Sequence, residues 1–296
     1  MKKLVLLTLF LLVGCVSSPQ YSIDSSSRNE LEDAKKEIES TIVKKSRAFG
    51  WRKVTRLQKV ISRLENPSKK ICYALAENTS PQGCNWQIDY NDDPSMNAVA
   101  YISVNRSGNI DSNSQNIISI NRGILDYTQN EHELALIVSH EIGHHIANHT
   151  IDYYSGSTLG ETLGFLIGLA VIAEGDITLD NVDTAIKIVG TTTQIGSNLS
   201  RPKFKRKQEA EADLIAIQLL DDAGYNLEKS KDALLTLFAL GKNNEITADF
   251  FSTHPSGPDR IAAINKSIDK KNRSKLKEKI TSWCSKQNIY NQWKYC

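Results

Sequence analysis

The stretch Thr128–His149 reads TQNEHELALIVSHEIGHHIANH, and the rest of the chain is interpreted outward from it. Thr128 and Glu131 have the T-x-x-E spacing of a helix capping box. Leu134, Ile137 and Val138 then recur at helical spacing. Together they predict one long helix. Within it stands His140-Glu141-Ile142-Gly143-His144. Four residues of helix advance about 400°, so His140 and His144 share a face roughly one turn apart. Two imidazoles so placed can hold one Zn²⁺, and Glu141 beside them is set to act as a general base toward water. A polar helix with scattered histidines is the competing interpretation, and the compact spacing weighs against it.

A catalytic zinc site takes three protein ligands and keeps one position open. The extended motif H-E-x-x-H-x-x-G-x-x-H does not supply the third, because Ala147 stands at its glycine and Thr150 at its last histidine. His149 comes one residue early and, on a continuing helix, would point opposite His140. His145 and His149 are therefore expected at the surface or behind the ligands. The other source is a separate helix. Glu209-Ala210-Glu211-Ala212-Asp213 offers two glutamates. If Glu209 binds the metal, Asp213 one turn on can orient a ligating histidine through its free ring nitrogen.

The N-terminus argues for export. Met1-Lys2-Lys3 is followed by the apolar run Leu4–Val13 and then by Gly14-Cys15, a secretory signal too short to span a bilayer as a mature helix. Leu12-Val13-Gly14-Cys15 resembles a bacterial lipobox, which would make Cys15 the lipidated first residue of the mature chain. Val16, rather than Asp, in the next position resembles sorting to the outer membrane, and several acyl chains would anchor stably. Removing residues 1–14 leaves 282 of 296 residues, enough for one large domain or two small ones. It also takes Lys2 and Lys3 out of a net charge of +2, so bulk charge gives no reason to expect nucleic acid as a partner. The remaining cysteines are Cys72, Cys84, Cys284 and Cys296. An oxidising compartment permits disulfides. The pairs Cys72–Cys84 and Cys284–Cys296 each close a local loop and are preferred.

In chain order, residues 15–29 read as a polar, Ser-rich tether, 30–270 as the folded domain and 271–296 as a charged tail. Residues 30–64 carry two helical patterns separated near Gly50, and Asn66-Pro67 is expected to end the second. Short alternating runs follow around Trp86–Tyr90, Val99–Tyr101 and Ile117–Ile120. Ile117–Ile120 is either an edge strand that an extended peptide could extend or a plain core strand, since the pattern fits both equally. Leu163–Ala173 reads as a buried helix or a lid, Ile177–Gly196 as a further helix and Arg201–Lys207 as a solvated basic loop. Gln208–Ala223 is helical and stops at Gly224. Leu227–Leu240 is helical and closes at Gly241. Thr253-His254-Pro255 precedes a helix from Asp259 to Ile268.

These motifs in this order resemble a known family. H-E-x-x-H, then Glu209-x-x-x-Asp213, then Thr253-His254-Pro255 with Arg260-Ile261 is similar to the gluzincin endopeptidases of the HtpX and CAAX prenyl protease type. Asn97-Ala98 and Arg206 belong to the match. With the lipobox, the chain is similar to the bacterial outer-membrane lipoprotein proteases of the LoiP and BepA kind. The resemblance implies an α+β, mostly helical, zincin-like metalloprotease domain with a small β-sheet. It implies His140, His144 and Glu209 as zinc ligands, Glu141 as base and Asp213 as a supporting carboxylate. It gives His254 one of two roles, a latch in the open metal position or a donor to the oxyanion. It also implies polypeptide substrates among misfolded or stalled envelope proteins, and outer-membrane assembly machinery as a partner. A chaperone-like lipoprotein with little proteolysis is the alternative. One feature departs from the family. Ser103–Asn116 is long and rich in Asn and Ser where the family has a compact Gly-rich turn, which bears on the shape of the substrate cleft.

Overall fold

The computed structural model describes residues 26–74, 83–151, 153–154, 204–241, 243–255 and 257–286. The described elements are α1 (Arg28–Ser40), α2 (Gly50–Ala74), β1 (Gln87–Asn91), β2 (Ala98–Ile102), β3 (Asn116–Asn121), α3 (Arg122–Tyr127) and α4 (Glu131–Ile146). Four more helices follow: α5 (Arg206–Asp222), α6 (Leu227–Leu240), α7 (Ala248–Thr253) and α8 (Pro258–Lys286). Among the described residues helices dominate and there is a single small sheet, the α+β, mostly helical architecture expected. The signal, residues 15–25 of the tether and the apolar run Leu163–Ala173 lie outside the described residues, as do Ile177–Gly196 and Cys296 with its pairing to Cys284, while the end of the tether, from Ser27, already caps and enters α1. No described helix is long and apolar enough to cross a membrane.

The core is wrapped around α4. Every residue from Glu133 to Ile146 is buried, so this helix is enclosed on all sides rather than along one stripe. α2, α5 and α6 pack on it from different directions, and β2 and β3 cover another flank. Leu57, Val60 and Leu64 of α2, Ile118 and Ile120 of β3, and Ala216 and Leu219 of α5 belong to the same apolar cluster as Leu134 and Val138. Such burial confines α4's polar side chains to partners inside the protein.

Two local expectations are corrected and one alternative is decided. The long helix begins later than Thr128. Thr128 caps the short helix α3, while Asn130 caps α4 by accepting the His132 and Glu133 amides at 2.9 and 3.1 Å. Glu133 reaches back to the Gln129 amide at 2.8 Å, closing the same turn. Pro67 does not end α2, which runs on to Ala74. Proline costs one helix hydrogen bond, and the turn beyond it buries Ser68, Ile71 and Cys72. Cys72 is bonded to Cys84, the first preferred pair. Lastly, β3 is not an edge strand. The sheet order is β1-β3-β2, with β3 parallel to β1 and antiparallel to β2, so Ile117–Ile120 is paired on both sides. Among the described residues the outer strand on the α4 side is β2. The departing loop after β2 is held by its own polar side chains. Asn105 Oδ1 accepts the amides of Ser107 and Asn109, both at 3.0 Å.

Glu133 also gives a pH prediction. Burial pushes its carboxyl up to about 7, against the opposing hydrogen bond from the Gln129 amide. The native state therefore holds a proton that the unfolded chain has lost between the ordinary value of 4.5 and about 7. Stability from this group falls as pH rises through that window. Glu133→Gln should flatten the decline, measured as the shift in urea midpoint between pH 5 and pH 8. An unchanged slope would contradict it.

Candidate active site

The site lies where α4 crosses α5. A Cβ on Gly143 would stand 2.9 Å from the Ala212 carbonyl oxygen, so the bare glycine lets the two helices approach closely. That approach brings the face carrying His140 and His144 against Glu209. His140 Nε2 lies 3.1 Å from His144 Nε2 and 3.5 Å from Glu209 Oε2, and His144 Nε2 lies 3.4 Å from Glu209 Oε1. Of the two glutamates on α5, Glu209 faces the histidines. Glu211 turns instead to His149, with Oε2 at 3.2 Å from Nε2.

The outer nitrogens of the two histidines are turned away from this point. His140 Nδ1 lies 2.9 Å from Asp213 Oδ1, an electrostatic contact more than a well-aligned hydrogen bond. His144 Nδ1 lies 3.0 Å from His149 Nδ1. The ring of Phe204 stacks on His144 with centroids 3.6 Å apart and planes 15° from parallel. Each Nε2 is thus aimed inward by what holds the other side of its ring.

His254 joins the cluster. It follows α7 with an extended backbone, φ −119° and ψ 96°, as a residue before proline prefers. Its Nδ1 lies 3.1 and 3.3 Å from the two Glu209 oxygens, and its Nε2 lies 3.1 Å from the Ala98 carbonyl of β2. Donor atoms of His140, His144, Glu209 and His254 all fall within 4.8 Å of one another, and all four residues are buried. Glu141 is completely buried beside them, with His254 Nε2 at 3.6 Å from Oε1. Neither of its oxygens has a well-formed hydrogen bond. Burial pushes its carboxyl up, and neighbouring His254 and His140 and the Ala100 amide pull it down only in part.

Arg260 of α8 completes the arrangement. Its Nε and Nη2 donate to the two Asp213 oxygens, both at 2.8 Å, and its Nη1 lies 2.7 Å from Glu209 Oε2. Burial alone would raise both carboxyls. His254 and Arg260 hold Glu209 well below the usual range, and Arg260 lowers Asp213. Burial works against a charge on His140, yet Asp213 and Glu209 push it up to about 10. Burial keeps His144 neutral, well below the usual imidazole value.

The predicted site residues His140, Glu141, His144, Glu209, Asp213 and His254 all meet here. Cys15 lies outside the described residues. Arg206 stands exposed at the start of α5, away from the cluster. Asn97 is buried just before β2, and its carbonyl accepts the Asn121 amide at 3.0 Å. Of the two places expected for His145 and His149, the structure gives the one behind the ligands: neither is at the surface, and His149 Nδ1 meets His144 Nδ1. α4 ends at Ile146 and Asn148 takes a left-handed φ of 60°, which turns the chain back instead of continuing the helix. His149 is thereby carried behind His144, where counting at 100° per residue could not place it. His145 Nε2 contacts the Ile117 carbonyl at 3.0 Å, fastening α4 to β3, and burial lowers its pKa to about 4. The bridging role of Arg260 was also missed. Its place in the Thr-His-Pro motif was visible, but the packing that lays α8 on α5 was not.

Comparison with known proteins agrees with this geometry. Residues 62–268 match peptidase family M48. The mitochondrial metalloendopeptidase OMA1 of Arabidopsis thaliana is 27% identical over 197 residues, which is 67% of this chain and 34% of that protein. The chain thus spans about a third of that relative's length. The family match takes in the whole of α4, with His140, Glu141 and His144, then Glu209 and Asp213 on α5, and it runs past Arg260 on α8: the chain belongs to peptidase family M48.

Proposed function

We propose that the chain is a zinc-dependent endopeptidase acting on misfolded or stalled proteins of the cell envelope. The observation that carries this is the convergence of His140 Nε2, His144 Nε2 and the Glu209 carboxylate beside a buried Glu141 without a well-formed hydrogen bond. Two imidazole nitrogens, a carboxylate and no thiolate make a donor set that suits zinc, and the supported outer nitrogens suit it further. His140, His144 and Glu209 would hold the ion. Bound zinc supplies Lewis acidity toward a scissile carbonyl and makes water more acidic. Glu141 takes the proton of the attacking water and passes it to the departing amine. Asp213 and Arg260 hold His140 and Glu209 in place. The outer edge of β2, where His254 holds the Ala98 carbonyl, is the seat for an extended peptide, which would add as a further strand on release of that contact.

His254 acts as a latch in this reading. Its ring already touches both Glu209 oxygens and ties them to the β2 edge through the Ala98 carbonyl. It would serve as a fourth donor and restrain both the metal site and the peptide seat. Casein digestion tests the activity and the latch together. A chelator should stop digestion by wild type, and added zinc should restore it. His254→Ala should digest faster. Chelator-resistant digestion would sink the zinc dependence, and no digestion by the zinc-loaded protein would sink the enzyme reading. A fall of ~10²–10³ in kcat for His254→Ala, with zinc retained, would make His254 an oxyanion donor instead.

The proposed location is the periplasmic face of the outer membrane, through lipidated Cys15. The support is the basic start, the apolar Leu4–Val13 run and the Leu12–Cys15 sequence. Cys15→Ala should accumulate as an unlipidated precursor, whereas wild type should sediment with outer membrane. Wild type recovered free in the periplasm would refute the anchor.

A further inference from the structure

We propose that His149 and Glu211 are positioning residues that fix the tautomer and the aim of His144, acting in series as one unit. The inference rests on the reading of His144 as a zinc ligand. A histidine that ligates through Nε2 has a bare Nε2, so its proton sits on Nδ1 and Nδ1 must donate. The acceptor at 3.0 Å from His144 Nδ1 is His149 Nδ1. That nitrogen must then be bare, which places the His149 proton on Nε2. His149 Nε2 lies 3.2 Å from Glu211 Oε2, where a carboxylate accepts it. The proton order from Glu211 through His149 to His144 therefore has one self-consistent direction, and it ends with a lone pair facing Glu209.

All three side chains are at least 97% buried, so no bulk water competes for these contacts. The backbone is shaped for the purpose. The left-handed Asn148 brings His149 back beneath the helix it has just left. Asparagine is among the few side chains that adopt this conformation readily. Phe204 stacks on the His144 ring, so the ring's tilt is held by stacking and its rotation by His149. The two histidines of the motif are then supported in parallel ways. Asp213 reaches His140 directly, and Glu211 reaches His144 through an intervening imidazole. This also explains why α5 carries three acids within five residues: Glu209 faces the cluster, and Glu211 and Asp213 each serve a different histidine.

Zinc affinity measured by chelator competition on the full chain tests this without reference to activity. His149→Ala and Glu211→Gln should each weaken zinc binding ~10–100-fold. The double variant should be no weaker than His149→Ala alone, within about twofold, because removing the middle of a series already disconnects its end. The melting temperature should fall further in the zinc-loaded protein than in the metal-free protein in all three, because the lost zinc affinity adds to whatever the buried truncation costs. His149→Ala with wild-type affinity would overturn the proposal. So would losses that multiply in the double variant, or a metal-free protein destabilised as much as the loaded one, since both describe ordinary core contacts. His140→Ala is the control. If it keeps zinc, the ligand reading itself has failed; if it loses zinc while His149→Ala does not, only the present proposal has.

Discussion

Glu141→Gln should lower kcat for casein or peptide hydrolysis by ~10²–10⁴, the usual contribution of a positioned general base. Zinc content should be unchanged, because Glu141 is not among the four residues whose donor atoms cluster. The substitution keeps the shape of the side chain and removes only its basicity. It should also leave the protein as stable as wild type or more so. A buried carboxylate without well-formed hydrogen bonds is costly to hold charged, and Glu141 is fully buried with neither oxygen well bonded. Raised stability with lost activity is the signature of a group kept for chemistry at the expense of folding. Parallel measurement of kcat, zinc content and melting temperature checks all three. Activity within tenfold of wild type would remove Glu141 from the mechanism.

The largest effect on stability is expected from Arg260→Ala. The guanidinium neutralises Asp213 through two hydrogen bonds of 2.8 Å and Glu209 through a third contact of 2.7 Å, at 3% exposure. Its removal leaves two buried carboxylates short of a cation, at a cost of about 3–5 kcal/mol. The sign of the pH dependence follows. Both carboxyls lie below their ordinary values in the folded protein, so they contribute stability above the usual carboxylate range and lose it as pH falls through and below that range. Arg260→Ala should flatten this acid limb as well as lower the plateau. Arg260→Lys should recover only part, because one ammonium cannot span two carboxylates as a planar fork does. Urea unfolding of the chelated protein from neutral pH down to about pH 2, through and below the carboxylate range, measures both effects. Loss of less than about 1 kcal/mol, as for exposed pairs, would show that the bridge carries little.

How much of this was legible in the sequence depended on whether a feature was local. The spacing of H-E-x-x-H on a helix fixes the relation of His140 to His144 without any fold. The Gly224 and Gly241 stops, with φ of 70° and 74°, were readable because a left-handed helix end favours glycine. The choice between Glu209 and Glu211 could be framed by helical periodicity, but which face meets α4 depends on the Gly143–Ala212 approach, a tertiary fact. Pro67 was misread because burial of the turn beyond it outweighs a local breaking signal. Ile117–Ile120 could not be placed because strand order is set by pairing partners distant in sequence, and the pattern of a central strand resembles that of an edge. A place for His149 behind the ligands could be named, but not its partner, because one residue, Asn148, changes the geometry on which periodic counting depends.

The central claim is that one zinc is held between α4 and α5 by His140, His144 and Glu209. Anomalous diffraction at the zinc edge from crystals of the zinc-loaded protein tests it most directly. A single peak bounded by His140 Nε2, His144 Nε2 and the Glu209 carboxylate is the predicted result. A peak held by Glu211 or by cysteine sulfur, or no peak between α4 and α5, would contradict it.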